Sequence, residues 1–150
     1  MDIDNIIKGL ESIKNNVDNQ VKRIAIKNKE EILDYIREKQ LFEKGEDGKG
    51  RKLTAYKPFT IAYKKLKLQP TNRTTLFDTG SFYKNFDLLI TDQSAIGVFS
   101  RDSKTPKILE KYEGFSIFEF QESNRKEIDE DIFYKQLSEW LAKELQKITI

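Results

Sequence analysis

Apolar side chains at Ile3, Ile6, Ile7, Leu10, Ile13, Val17, Val21, Ile24, Ile32, Leu33 and Ile36 recur every three or four residues, separated by Lys, Asn, Asp and Glu. That period specifies an amphipathic helix over about residues 1–40, with an interruption expected near Asn28. So long a rod must lie against something apolar. Ile3, Leu10, Val17 and Ile24 keep heptad spacing with Ile6 and Ile13, but Gln20 and Lys27 break the second position. The stripe therefore suits packing on the chain's own sheet or on a neighbouring subunit better than a coiled coil.

A second stripe closes the chain. Asn124 and Glu127 stand at capping-box spacing, followed by Ile128, Ile132, Phe133, Leu137, Trp140, Leu141, Leu145 and Ile148 on one face. A helix is expected over 124–148 with Trp140 in its core face. Residues 41–75 hold Gly45, Gly48, Gly50, Pro58 and Pro70, which reads as an extended loop. Inside it Phe59, Ala62, Tyr63 and Leu66 share the face of a short helix. Residues 76–121 carry alternating runs: a strand over Phe82–Thr91, a hairpin partner over Ala95–Ser100, a turn or short helix at Pro106–Tyr112, and a third strand over Phe115–Phe120. No internal repeat is present. The expected fold is a single α+β domain, a small antiparallel sheet of about three to four strands with the N-terminal and C-terminal helices laid across it.

Composition narrows the chemistry. The 150 residues are 37% apolar and 35% charged, yet include 10 Phe, 6 Tyr and 1 Trp, enough large apolar groups to fold. Cys and His are both absent. That removes thiolate and imidazole catalysis, disulfides, and His or Cys metal sites. Any catalysis would rest on carboxylates, Lys, Tyr or an oxygen-ligated cation. The start, MDIDNIIKGL, is acidic where a signal peptide is basic, and no apolar run approaches the roughly 18 residues of a membrane span. The expectation is a protein without membrane contact, cofactor, metal or enzymatic activity.

Charge is unevenly distributed. Residues 1–40 hold 8 basic and 8 acidic groups, 41–73 hold 9 and 3, 74–108 hold 4 and 4, and 109–150 hold 6 and 10. A +6 loop and a −4 C-terminal region thus share one chain of net charge +2. The basic residues of the loop, interleaved with Phe42, Tyr56, Phe59 and Tyr63, fit a nucleic-acid backbone as an alternative function, although 21 Lys against 6 Arg is the poorer choice for phosphate forks. Gly45-Glu-Asp-Gly-Lys-Gly-Arg-Lys is no phosphate loop, because Arg51 and Lys52 stand where Lys and then Ser or Thr are needed. Asp47 lacks the alternating acids of a calcium loop. A metal nuclease built on Asp102 and Glu119 meets Gln121 where a lysine is required.

The densest local pattern is Leu76-Phe-Asp-Thr79-Gly80-Ser-Phe82, leading to Phe86. Asp78 and Thr79 can close a turn, Gly80 can take a positive φ, and Phe82 with Phe86 begin a buried strand. Gly48 reads as part of a looser loop.

With Phe42, Gly45, Gly48, Leu53, Tyr56, Thr60 and Lys64 before it, this pattern resembles the tail-completion and neck proteins of long-tailed bacteriophages, the phage virion morphogenesis family. The resemblance covers about residues 40–90 by motif and the rest by element order. It departs where Phe82 replaces the usual Leu, where Tyr56 stands in for a Trp, and where Gly114-Phe115 is all that remains of an Arg-Pro-Phe segment. It implies a structural protein of the virion, made in the host cytoplasm and assembled as a homo-oligomeric ring at the head-tail junction. Its implied neighbours are portal or connector proteins and tail proteins, with non-specific contact to packaged DNA left open. In such a ring, Lys64, Lys65 and Lys67 of one copy and Glu127, Glu130 and Asp131 of the next are the interface candidates, being complementary in charge.

Overall fold

The computed structural model describes residues 2–148. Helix α1 (Ile3–Lys27) is capped by Asp2, whose carboxylate accepts the Asp4 N–H at 3.0 Å. It stops at Asn28, whose side-chain amide donates to the Ile24 carbonyl at 2.8 Å and pairs with Gln136 at 3.1 Å. Helix α2 (Lys29–Asp34) runs on into a stretch of wide, π-type turns over Tyr35–Lys44 and ends at Gly45, φ +62°. After the loop come α3 (Pro58–Leu66), the single turn α4 (Ser81–Lys84), strands β1 (Phe86–Ile90) and β2 (Ile96–Ser100), and α5 (Thr105–Lys111). The chain closes with α6 (Glu122–Ile128), a second wide-turn stretch over Asp129–Tyr134, and α7 (Lys135–Ile148).

The protein is α+β, with a long helix at each end and an antiparallel sheet between them. Among the described residues that sheet has two strands, β1 and β2, in register from Phe86↔Ser100 to Ile90↔Ile96. Three to four strands were expected. The segment 115–120 alternates apolar and polar residues like a strand, and Ile117 is buried in the core, but its backbone pairs with side chains and a turn instead of a ladder. The Ser116 N–H donates to Asp47 at 3.0 Å, the Ser116 carbonyl accepts from Gly48 at 2.9 Å, and the Glu119 carbonyl accepts from Gln40 at 2.9 Å. Phe82, expected in β1, lies in α4, because Gly80 at φ +91° turns the chain into one helical turn before the strand begins.

The terminal helices also pack differently from expectation. Only the C-terminal part of α1 reaches the hairpin, where Ile24 and Ala25 join Ile32, Tyr35, Ile128, Ile132 and Phe133 in a buried cluster against Leu88, Ile90 and Ile96. The rest of α1 pairs with α7, so closely that a Cβ on Gly9 would lie 2.7 Å from Ile148. Trp140 is half-buried in this pair rather than in a core. Asn124 does not cap the last helix, which starts two residues earlier; its amide is buried and donates to Gln40 at 3.0 Å.

The larger core gathers Leu33, Ile36, Leu41, Leu53, Phe82, Tyr83, Phe86, Tyr112 and Ile117. Phe82, Phe86 and Phe118 meet at ring separations of 5.1–6.0 Å, in edge-to-face and tilted pairs. Buried Arg37 crosses from the wide-turn stretch to Glu30 (2.8 Å), Asp34 (2.7 Å) and the Tyr83 carbonyl (3.3 Å), which locks α2 to α4.

Asp47 has no solvent exposure and accepts from Lys49 N, Arg51 N, Arg51 Nε, Arg51 Nη2 and Ser116 N at 2.7–3.0 Å. Burial alone would raise its carboxyl; the Ser116 N–H and Arg51 outweigh that and hold it below the ordinary value. Asp78, Asp87 and Asp102 are lowered too, chiefly by hydrogen bonds from Lys67, the Leu88 N–H and Ser81. A carboxyl lowered by folding stabilises above its unfolded value of about 3.9, and that contribution is lost as pH falls through the folded value. With no histidine to titrate, urea midpoints should be flat between about pH 5.5 and 7 and drop below about pH 4. Asp47→Asn should cost about 3 kcal/mol on the plateau and flatten the acid limb. An unchanged midpoint in that variant would show that the Asp47 contacts are dispensable.

Candidate interaction site

The glycine loop is held from inside. Gly48 approaches the backbone of the 114–121 segment so closely that a Cβ would sit 2.4 Å from the Glu119 carbonyl oxygen. It is a close-packed position, not a loose one. Gly50, at φ +76°, faces open space instead.

The turn motif is held from outside, by α3 and the residues after it. Lys64 is buried, donates to the Phe77 carbonyl, and lies 5.3 Å from the Tyr56 ring. Lys67 pairs with Asp78 at 2.5 Å, and Gln69 donates to the Asp78 carbonyl at 2.7 Å. Below the turn, Tyr83 donates to the Thr75 carbonyl and the Tyr56 hydroxyl accepts from the Thr75 N–H at 2.9 Å. Thr79 accepts the Ser81 N–H at 3.3 Å, and Leu76, half-buried against the core, takes a left-handed φ of +58°. The residues Leu76, Thr79, Gly80, Phe82 and Phe86 thus form one structural device that turns the chain into the hairpin. Burial drives the Tyr83 phenol far above its ordinary range, so it stays a proton donor.

Of the basic loop residues, Arg51, Lys52, Lys64, Lys67 and Arg73 are spent on contacts within the chain: Arg51 on Asp47 and the Gly114 carbonyl, Lys52 on the Lys44 carbonyl, Arg73 on the Phe42 carbonyl. Lys44, Lys49, Lys57 and Lys65 remain exposed and outside every ion pair among the described residues. Fewer cations are available to an external phosphate backbone than the sequence suggests. On the acidic side, Glu127 lies 3.5 Å from Lys39 and bonds Tyr35, whose phenol is raised by burial and by Glu127 to about 12. Glu130 and Asp131 are exposed and unpaired among the described residues.

The two carboxylates singled out for metal chemistry have different surroundings. Asp102 accepts from Ser81 and from Lys104 N at 2.8 Å, closing the turn into α5, while Glu119 is exposed. No group of three or more Asp or Glu side chains placed to hold a metal exists among the described residues, and no described helix is long and apolar enough to cross a membrane.

What stands out is apolar surface. Along the α1–α7 pair, Ile3, Ile7, Leu10, Val17, Leu141 and Leu145 are exposed. On and after α3, Phe59, Leu66 and Leu68 are 84%, 85% and 95% exposed. A groove of about 720 Å³ runs between β2 and α6, lined by Ile96, Val98, Phe118, Phe120, Ile128 and Phe133. Exposed apolar side chains, where they adjoin one another, are the kind of surface that macromolecular contacts use. Asp47 and Gln40 escaped sequence reasoning; the signal for Asp47 was Asp followed by Gly, which favours a side-chain-closed turn. The groove had no sequence signal, because it depends on a third strand that does not form. No family model matches the chain, and no curated protein or solved structure matches it.

Glycine substitutions separate these two devices. Gly80→Val should cost more than about 1 kcal/mol through φ strain. Gly48→Ala should cost at least as much, through overlap with the Glu119 backbone. Gly97→Ala, in β2 with its nearest neighbour atoms at 3.9 Å, should be neutral or stabilising. Thermal melts check the order; equal effects at all positions would contradict both assignments.

Proposed function

We propose that the chain is a non-enzymatic structural protein of a tailed bacteriophage virion, assembling as a homo-oligomeric ring at the head-tail junction between portal or connector proteins and tail proteins. The observation that carries this reading is the α1–α7 stalk. Its two helices pair with each other, yet six large apolar side chains along them stay exposed, which is surface suited to burial by further subunits. The resemblance of residues 40–90 to the neck and tail-completion family supplies the location. Turn clasps at Gly80 and Lys64 supply rigid shape. Lys44, Lys49, Lys57 and Lys65 leave charge for non-specific contact with packaged DNA.

Immunogold labelling of the particles should place the protein at the head-tail junction. Asp102→Ala and Glu119→Ala should leave assembly intact apart from any loss of folding stability. Labelling absent from particles, or magnesium-dependent DNA cleavage lost in either variant, would overturn the reading.

A further inference from the structure

We propose that neighbouring copies join by a knob-in-groove contact, the exposed end of α3 on one copy seating in the groove between β2 and α6 on the next. This rests on the homo-oligomeric reading above. The knob is Leu66 and Leu68 at the C-terminal end of α3, with Phe59 about two turns earlier on the helix, and its tip is pre-organised: the clasps from Lys64 and Lys67 to the turn fix that end, and Leu68 has a left-handed φ of +56°. Leu68 belongs to neither core cluster among the described residues, so a partner surface is what would take it out of water.

The groove offers the complementary half. Asn85 bonds Arg101 and Thr91 bonds Ala95 across the hairpin, so the alternation of an antiparallel pair points the N–H and C=O groups of Ile96 and Val98 away from β1. On β1 the corresponding Leu88 N–H is closed by Asp87 at 2.8 Å; among the described residues no side chain closes β2 in this way. Beyond the apolar lining, the groove continues past Phe120 and Asp129 into a concavity of about 630 Å³. Glu119, Glu122, Asp129 and Glu130 border the two, against Arg125 and Lys126, and none of these acids is in an ion pair among the described residues. Lys57 and Lys65 flank the knob and are equally uncommitted. An apolar knob with a basic collar thus faces an apolar groove with a net acidic border. Because knob and groove are different patches of one chain, the contact is head-to-tail and propagates into a ring or a filament.

The absence of cysteine makes the test clean. Leu66→Cys and Ala95→Cys, both at exposed positions, are mixed with a short bis-maleimide. The expected result is covalent heterodimer at least tenfold above either variant alone and above Leu66→Cys mixed with Lys8→Cys; the double variant should give a ladder. In parallel, Lys65→Glu should weaken self-association about tenfold by sedimentation, with partial rescue when mixed with Glu130→Lys. If the wild-type protein self-associates but the Leu66–Ala95 cross-link stays at control level, the knob-in-groove contact is wrong and the assembly reading stands. If the wild-type protein is monomeric at every concentration, on particles and off, the assembly reading itself fails.

Discussion

Asp47 carries five hydrogen bonds on a side chain without solvent contact, and two stretches of the chain depend on it. Its partners at Lys49 and Arg51 close the glycine loop, and its partner at Ser116 draws in the segment between α5 and α6. Gln40, also fully buried, repeats the device, donating to the Glu119 carbonyl and accepting from Gln121 N and Asn124 Nδ2. A buried carboxylate is tolerated only when its hydrogen-bonding capacity is filled, and here the partners that fill it come from two distant parts of the sequence. Polar side chains therefore do what a third strand would have done, and β2 keeps an open edge as a result.

Stability is correspondingly uneven. The aromatic cluster around Phe82, Tyr83 and Phe86 is buried on all sides, each ring contributing about 1.5–3 kcal/mol by transfer from water. Among the described residues, Ile13 is the one buried residue of α1 before Ile24, and α7 has none. Helices that gain little burial in one copy depend on tertiary or intersubunit packing for most of their stability. The same exposed surfaces are the ones the proposed assembly would bury.

The period of three and four made both terminal helices legible, because helix geometry leaves no other use for such spacing, and Asn28 was legible as the interruption. The β1–β2 hairpin followed from alternation and a polar turn, and Gly80 from the need for positive φ. Phe115–Phe120 was misread because alternation reports where side chains point, and Ile117 does point into the core, but it does not report what the backbone bonds. Lys64 and Lys67 read as surface charge, yet they clasp the Phe77 and Asp78 turn; nothing in a lysine-rich sequence distinguishes a clasp from a solvated side chain. The apolar groove depends on three-dimensional placement alone.

The proposed assembly rests on the exposed apolar side chains of α1, α7 and α3 and on the groove beside β2. Native mass spectrometry of the purified protein over a range of concentrations tests that most directly. The account predicts monomer giving way to a closed species of one fixed subunit number, with higher salt raising the concentration required. A protein that stays monomeric throughout, with its stalk leucines and isoleucines as exposed in solution as in the single chain, would contradict it.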